Sequence, residues 1–167
     1  RCLWCSNPES QNTGPDVLHD AERCTLCLAC VRACTTGALR FEDGRFVFDS
    51  SLCTMCNICA SVCPTSARRL SGRRMTVDAV LKVVLRDTAF YRRSGGGVTL
   101  GGGEPLGQPE FAADLVIASH RQGVDTAIET SGYADTRTLL SVARYANHVM
   151  FDVKHADAGQ HTALTGV

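Results

Sequence analysis

The chain has 167 residues and a formal net charge of zero, from 17 basic and 17 acidic side chains. This length allows one domain with a buried core, or a small domain inserted into a larger one. The balanced charge predicts neither nucleic acid nor an anionic membrane as a partner, and no apolar run approaches the roughly 18 residues of a membrane span. The N-terminus lacks the basic and then apolar pattern of a signal peptide, so we expect a cytoplasmic protein.

The first two of ten cysteines, Cys2 and Cys5, form a CxxC pair close to the start of the chain. Such a pair is a weak signal by itself, because it also occurs as a stray pair or as a redox dithiol. The chain starts at Arg1 rather than at a methionine. We therefore expect it to be part of a longer protein.

Eight further cysteines form two groups that share the spacing CxxCxxCxxxC. The groups are Cys24, Cys27, Cys30, Cys34 and Cys53, Cys56, Cys59, Cys63. In bacterial two-cluster ferredoxins, three thiolates of one group hold a [4Fe-4S] cluster together with the fourth thiolate of the other group. This pattern assigns Cys63 to the cluster of the first group and Cys34 to the cluster of the second. Zinc is the alternative, but a zinc site pairs one CxxC with a distant CxxC or His pair and would leave cysteines over.

The two cysteine groups are expected to belong to one compact ferredoxin-like module over residues 19–70. Between the groups lies the stretch FEDGRFVFD, in which Asp43-Gly44 predicts a hairpin turn. Thr35 follows Cys34 where Pro64 follows Cys63, and the turn is still expected there. The basic residues Arg68, Arg69, Arg73 and Arg74 are interpreted as a solvated linker, with contact to an acidic partner surface as the alternative.

Strand and helix patterns alternate after residue 74, which predicts a parallel sheet covered by helices. The expected elements are a helix from Thr76 to Arg93, a strand over 98–100, a helix over 109–120, a strand over 126–128, a helix from Asp135 and a strand over 148–151. Residues 164–166 are expected in the loop after the last strand.

Polar residues follow three of these strands. They are Glu104, Glu129, Thr130, Ser131, Asp152 and Lys154. Because the carboxyl ends of parallel strands share one edge, these side chains are expected to meet where parallel barrels place their chemistry. Each alone could be a solvated charge, and it is the agreement of three strand ends that favours a site.

Four segments together resemble the radical S-adenosylmethionine (SAM) superfamily, and specifically its activating enzymes of glycyl radical enzymes. They are RCLWCSNPE at 1–9, GGGEP at 101–105, ETSGY at 129–133 and FDVK at 151–154. The resemblance implies an α/β fold, namely a partial (β/α)6-type TIM-like barrel with an inserted α+β bacterial ferredoxin-like domain. The expected domains are the cluster loop at 1–18, the insertion at 19–70 and the partial barrel at 71–167.

The resemblance also implies the cofactors, which are SAM and three [4Fe-4S] clusters. Cys2 and Cys5 would hold the SAM-binding cluster with a first cysteine four residues before Cys2, outside this chain. Trp4 would lie against the adenine. Gly102 and Gly103 would offer backbone groups to the methionyl end, and Glu104 would accept from its ammonium.

Further contacts with the cofactor are implied for the other strand-end residues. Asp152 and Lys154 would contact it, and Glu129, Thr130 and the Met150 backbone would lie beside its carboxylate. Some relatives carry Asp where this chain has Glu129, so a cation at this place stays open. Ser131 is a candidate contact to the ribose or the carboxylate.

The implied enzyme is an oxidoreductase that cleaves SAM reductively to methionine and a 5′-deoxyadenosyl radical, which abstracts hydrogen from a backbone glycine of a partner enzyme. No side chain would act as acid or base, because the radical arises on the cofactor. The partner would be a glycyl radical enzyme of the decarboxylase, dehydratase or carbon-heteroatom lyase type, and flavodoxin or ferredoxin would supply electrons. Since the first cysteine lies outside the chain, this segment alone is expected to be inactive.

Two alternatives remain at this stage. One is another radical SAM enzyme with auxiliary clusters, and the other is an electron-transfer protein of the ferredoxin type. Whether the two inserted clusters relay electrons, and which oligomer forms, is left open by the sequence.

Overall fold

The computed structural model describes residues 2–11, 14 and 16–167. They divide into two compact units, one made of the described residues between 12 and 74 and the other of those in 1–11 and 75–167. The predicted module at 19–70 lies within the first unit, which also contains a strand that begins at Asp16. None of the helices in the described part of the chain is long and apolar enough to span a membrane.

The smaller unit consists of two antiparallel strand pairs and two single-turn helices. Its elements are β1 (Asp16–His19), α1 (Ala29–Arg32), β2 (Leu39–Glu42), β3 (Arg45–Phe48), α2 (Ile58–Ser61) and β4 (Arg68–Ser71). β1 pairs with β4 and β2 pairs with β3. The predicted turn joins β2 to β3, and Asp43 and Gly44 have φ values of 48° and 77° there, as a two-residue hairpin of this kind requires.

The interpretation of the basic run as a solvated linker is wrong for Arg68. This residue opens strand β4 and is only 4% exposed, whereas Arg69 beside it is exposed. Successive side chains of a strand point to opposite faces. A strand that covers a small core therefore buries one arginine of the pair and exposes the other.

The larger unit alternates helices and strands, as predicted, and is α/β. Its elements are α3 (Val77–Val84), α4 (Thr88–Ser94), β5 (Gly97–Leu100), α5 (Pro109–Arg121), β6 (Asp125–Thr130), α6 (Thr136–Ala143), β7 (His148–Phe151) and α7 (Ala158–Thr165). Short 3-10 turns lie at Pro8–Gln11, Leu85–Asp87 and Pro105–Gly107. The three strands form a parallel sheet in the order β5, β6, β7.

Three elements of the larger unit differ from the prediction. The expected helix from Thr76 to Arg93 is divided at Leu85–Asp87, where the Thr88 hydroxyl donates to the Leu85 carbonyl oxygen at 2.7 Å and so occupies an acceptor of the helix. Strand β6 continues through Thr130, so Glu129 and Thr130 are its last residues rather than part of the loop. Residues 164 and 165 end helix α7 instead of lying in a loop.

Short polar side chains define where the helices begin. Thr76, Asp135 and Asp157 each accept a hydrogen bond from a backbone N–H of the following turn, which satisfies a donor that has no partner within the helix. Pro109 begins α5, at a position where its missing N–H costs nothing. These caps fix the boundaries between each strand-end loop and the helix that follows.

The core of the larger unit lies between the central strand and the helices that follow β5 and β6. Ile128 of β6, Val116 of α5 and Val142 of α6 are fully buried, and Leu106 and Ala112 complete the cluster. Ile128 precedes Glu129 directly in the central strand. Its burial therefore positions the polar strand end that follows.

Candidate functional site

The loops after β5 and β6 are joined by the carboxylate of Glu104. Its Oε1 accepts from the Leu106 backbone N–H at 3.1 Å and from the Thr130 hydroxyl at 2.5 Å. Its Oε2 accepts from the backbone N–H and the hydroxyl of Ser131, at 2.9 and 2.7 Å. A carboxylate has about four acceptor positions, and residues of this chain fill all four. A ligand ammonium at Glu104 would have to share or replace one of these donors.

The glycines after β5 bring backbone close to other loops. Gly102 has a φ of 97°, which a residue with a Cβ rarely adopts. A Cβ added to Gly103 would lie 3.0 Å from Cβ of Ser10, and one added to Gly101 would lie 3.1 Å from Oε2 of Glu129. Ser10 at this edge was not among the site residues predicted from the sequence.

The loop after β7 carries an ion pair between Lys154 and Asp152. The hydrogen bond to Asp152 raises the pKa of Lys154 more than burial lowers it, and the charges of Asp152, Cys2 and Cys5 raise it further. The two N-terminal thiols therefore lie within electrostatic reach of this lysine. The Asp152 backbone N–H also donates to the Thr130 carbonyl oxygen at 2.8 Å, which ties the loop to the end of β6.

The N-terminal segment with Cys2 and Cys5 is held in a turn. The Cys5 N–H donates to the Cys2 carbonyl oxygen at 3.2 Å, and the Leu3 N–H donates to the carbonyl oxygen of Leu164 in α7 at 3.0 Å. The Trp4 side chain is about half exposed, at 49%. A planar apolar surface is thus available next to the two thiols.

The strand ends therefore gather most of the residues singled out from the sequence. Glu104, Thr130 and Ser131 share one hydrogen-bond network, and Asp152 and Lys154 pair near the two N-terminal cysteines. The strand ends thus combine a cation, which suits a carboxylate, with carboxylates that are already paired within the chain and with Cβ-free backbone for close approach. Such a set suits an amino acid moiety as ligand.

The two cysteine groups of the smaller unit are built alike, at an offset of 29 residues, from Cys24 to Cys53. In the first loop Leu26 and Leu28 have φ values of 55° and 59°, and in the second Met55 and Asn57 have 56° and 63°. Non-glycine residues seldom adopt positive φ. The two cysteine loops therefore share the same unusual backbone conformation at equivalent positions.

A cavity in the smaller unit is lined by four cysteines from both groups, namely Cys34, Cys53, Cys56 and Cys59. The rest of the lining is mixed, with apolar residues such as Val17, Leu39 and Phe48 beside several threonines and an asparagine. This set is the one expected for the second cluster, with the fourth thiolate from the other group. None of the ten cysteines is in a disulfide, so each sulfur is available as a ligand.

The fourth cysteine of each group is surrounded by donors. Burial alone would raise the pKa of the Cys34 thiol, but the backbone N–H groups of Leu39, Thr36 and Ala38 and the Thr36 hydroxyl together lower it. The pKa of Cys63 is lowered in the same way, against burial, by Arg68, Thr65 and Ala67. Donors that stabilise a thiolate suit an iron–sulfur cluster, whose cysteine ligands are thiolates.

Two family models match the chain. The model described as the Radical SAM superfamily matches residues 50–164, and the model described as a 4Fe-4S dicluster domain matches residues 23–67. The second match contains both cysteine groups of the smaller unit.

Curated relatives match almost the whole chain. The isethionate sulfite-lyase activating enzyme of Nitratidesulfovibrio vulgaris is 42% identical over 100% of this chain and 56% of the relative. The choline trimethylamine-lyase activating enzyme of Oleidesulfovibrio alaskensis is 44% identical over 100% of this chain and 55% of the relative. The (2S)-3-sulfopropanediol sulfolyase activating enzyme of Bilophila wadsworthia is 45% identical over 99% of this chain and 56% of the relative. The chain thus spans little more than half the length of these relatives.

Proposed function

Because the chain belongs to the radical SAM superfamily, we propose that it is part of an activating enzyme of a glycyl radical enzyme. The observation that carries the proposal is the convergence of three strand-end loops and the Cys2–Cys5 turn at one edge of the parallel sheet. The three relatives described above are all named activating enzymes, which supports the same reading. We propose the finer architecture as a partial (β/α)6 barrel that carries a ferredoxin-like insertion.

The cofactors of this proposal are SAM and three [4Fe-4S] clusters. When bound, an open cluster and SAM supply one-electron cleavage to methionine and a 5′-deoxyadenosyl radical, which takes a hydrogen atom from a glycine. Cys2 and Cys5 would ligate the open cluster. The first ferredoxin-type cluster would take Cys24, Cys27, Cys30 and Cys63, and the second would take Cys53, Cys56, Cys59 and Cys34. The shared cavity of the last four residues supports this crossed pairing.

The residues at the sheet edge would orient SAM. Lys154, with its raised pKa, stays cationic at neutral pH and would pair with the carboxylate, while Asp152 holds the lysine in place. Gly102 and Gly103 would approach the methionyl end with their backbone. Trp4 would stack against the adenine, since its half-exposed ring lies in the turn between the two cysteines.

Glu104 and its hydrogen-bond network would also border the SAM site at the sheet edge. The carboxylate holds Thr130 and Ser131 at the end of β6, so it would act on SAM chiefly through the position of these residues. Glu129 lies against Gly101 and would border the SAM carboxylate together with the backbone of Met150. None of these residues has to transfer a proton.

The partner would be a glycyl radical enzyme of the lyase, dehydratase or decarboxylase type, and flavodoxin or ferredoxin would supply the electron. The relatives described above are activating enzymes whose names specify a sulfite-lyase, a sulfolyase and a trimethylamine-lyase. These names support a lyase as partner. A reducing compartment such as the cytoplasm would keep the ten thiols available for clusters.

The proposal is tested with the anaerobically reconstituted full-length protein. We expect about twelve irons per chain, an electron paramagnetic resonance (EPR) spectrum that changes when SAM is added, and 5′-deoxyadenosine after reduction with dithionite. Mixed with a glycyl radical enzyme of the lyase type, it should produce a doublet EPR signal, because the unpaired electron couples to the single hydrogen left on the glycine Cα.

The alternatives give other results. About eight irons without a response to SAM would contradict the proposal and leave a ferredoxin-type electron carrier. If 5′-deoxyadenosine forms but no glycyl radical signal appears on a lyase, a dehydratase or a decarboxylase, the result would indicate a radical SAM enzyme with another substrate. The matched control is Cys5→Ala, which should abolish 5′-deoxyadenosine formation and leave the irons of the ferredoxin-type clusters.

A further inference from the structure

Arg68 is a buried cation whose surroundings do not satisfy it. The residue is 4% exposed, and its Nε and Nη2 are buried without a hydrogen-bond partner among the described residues. Its guanidinium carbon lies 4.5 Å from the centre of the Phe46 ring. A phenyl ring has no oxygen, nitrogen or sulfur atom that could accept a hydrogen bond from the guanidinium. A buried charge without a partner is costly, so an anion is expected beside it.

The repeat of 29 residues shows where that anion would lie. Arg68 occupies the position that Leu39 has in the other half, from 39 to 68, and both residues are buried. Phe46 likewise corresponds to Val17, and His19 corresponds to Phe48. Val17, Leu39 and Phe48 line the cavity of the second cysteine set.

The counterpart residues are also together in the structure. The His19 and Phe46 rings have centroids 4.7 Å apart, Phe46 lies under Arg68, and the charge of Arg68 acts on His19. Three residues that line the cavity in one half thus correspond to three neighbouring residues in the other. The backbone N–H of Arg68 also points to Cys63, the fourth cysteine of the first set.

From this correspondence we infer that Arg68 donates to the first ferredoxin-type cluster, held by Cys24, Cys27, Cys30 and Cys63, and raises its reduction potential above that of the twin. The inference rests on the two-cluster part of the proposed function. A [4Fe-4S] core with four thiolates is an anion that gains negative charge on reduction. A buried cation stabilises the reduced form more than the oxidised form, and hydrogen bonds to sulfur act in the same direction.

The asymmetry follows from the sequence of the two halves. Where the first cluster would have the guanidinium of Arg68, the second has the aliphatic side chain of Leu39. The charge of Arg68 acts on Cys59 of the second set, whereas its backbone N–H donates to Cys63 of the first set. The repeat, however, puts Arg68 beside the first cluster. An electron shared by the two ferredoxin-type clusters would therefore reside on the first cluster.

The test measures potentials in variants of the full-length protein that keep a single cluster. Replacing Cys2, Cys5, Cys53, Cys56 and Cys59 with alanine leaves the first cluster, and replacing Cys2, Cys5, Cys24, Cys27 and Cys30 leaves the second. Each should contain about four irons per chain. Midpoint potentials are then determined by EPR-monitored redox titration, without SAM and without a partner enzyme.

With the first cluster alone, we expect Arg68→Leu to make reduction about tenfold less favourable, which is about 59 mV for one electron. With the second cluster alone, the same substitution should have a smaller effect. Arg68→Lys should keep most of the potential because it keeps the charge. Arg69→Leu is the matched control, since it removes the neighbouring exposed arginine, and it should change neither potential.

An unchanged potential of the first cluster in Arg68→Leu, or a larger change at the second, would overturn the inference. If a single-cluster variant does not bind iron, Arg68→Leu and Arg68→Lys are compared in the intact protein. The more positive of the two ferredoxin-type potentials should then fall in Arg68→Leu and be mostly kept in Arg68→Lys, and an equal potential in both variants would overturn the inference. Because the measurement involves neither SAM cleavage nor a glycyl radical, its outcome is independent of that part of the proposed function. Iron content reports separately on whether the clusters form.

Discussion

The hydrogen-bond network of Glu104 links two loops through one side chain. Thr130 and Ser131 reach it with hydroxyl groups, which can rotate and either donate or accept. Leu106 and Ser131 also reach it with backbone N–H groups, which can only donate. The network therefore requires an acceptor at both oxygens of residue 104, and this distinguishes a carboxylate from an amide.

The substitution Glu104→Gln tests that requirement. Whichever way the amide is oriented, its NH2 group would face one of the two backbone donors, at a cost of about 1–3 kcal/mol. We expect the β6 loop to shift and SAM to bind about tenfold more weakly, measured by titration of the reconstituted full-length protein. Glu110→Gln on the exposed start of α5 removes the same charge and should leave binding unchanged. Equal binding in both variants would show that Glu104 does not position the pocket.

Gly132, directly after this network, has little room for a side chain. Its φ is 71°, and an added Cβ would lie 2.2 Å from the Phe151 ring. Gly132→Ala should therefore destabilise the protein by at least about 1–2 kcal/mol, the cost of the left-handed conformation alone. Thermal unfolding of the full-length protein measures the effect. Gly107→Ala, which meets no atom within 4 Å, is the control, and a similar midpoint for both variants would contradict the steric argument.

At the scale of elements, the 29-residue repeat organises the smaller unit. Backbone hydrogen bonds recur at the same offset, such as Cys34 N–H to Val31 and Cys63 N–H to Ala60. Thr35 in one half replaces Pro64 of the other without changing this pattern. The loops, helices and strands of each half therefore form one unit of structure that occurs twice.

The crossed pairing of cysteines makes a prediction about dependence between the halves. In a full-length protein with Cys53, Cys56 and Cys59 replaced by alanine, the second cluster is absent and about eight irons should remain. Adding Cys34→Ala should then change nothing, whereas adding Cys63→Ala should impair the first cluster. Iron and sulfide analysis gives the answer. Loss of iron with Cys34→Ala in this background would mean that each cluster uses four cysteines of its own group.

Much of this organisation follows from local patterns. Cysteine spacing predicted two clusters and the resemblance predicted the family, which the match over residues 50–164 confirms. Pro109 and Gly123 predicted α5 nearly to its ends, and the start of α6 was expected at its capping residue Asp135. These features depend on neighbours in sequence, so a single chain is sufficient to identify them.

Features that depend on distant partners were missed. The donors around Glu104 come from residues 26 and 27 positions away, and Ser10 meets Gly103 across the unit. Arg68 was taken as solvated because charged side chains are mostly exposed. Its alignment with Leu39 in the repeat was the available signal, since a position that is buried in one half is expected to be buried in the other.

At the scale of the whole molecule, the smaller unit interrupts the larger one in sequence but closes on itself. β1 and β4 pair so that Asp16 lies opposite Ser71, which puts the two ends about 5 Å apart. The described residues that form the core of the larger unit, around Val116, Ile128 and Val142, all lie outside the smaller unit. Inserted domains with adjacent ends and separate cores are often removable.

We therefore predict that residues 16–71 of the full-length protein can be replaced by a short Gly-Ser linker. The shortened protein should fold and bind about four irons instead of about twelve. It should still form 5′-deoxyadenosine from SAM with dithionite, because Cys2, Cys5, Glu104 and Lys154 all remain. With reduced flavodoxin or ferredoxin as donor, the rate should fall if the two inserted clusters carry the electron.

The comparison of donors separates two roles of the smaller unit. A rate that falls with the protein donor alone assigns the clusters to electron transfer, because dithionite can reach the remaining cluster directly. Unchanged rates with both donors, together with loss of the glycyl radical on the partner, would assign the unit to partner docking. Cys5→Ala in the shortened protein is the control and gives the baseline without SAM cleavage. A shortened protein that fails to fold or to bind its four irons would show that the core of the larger unit depends on the smaller unit.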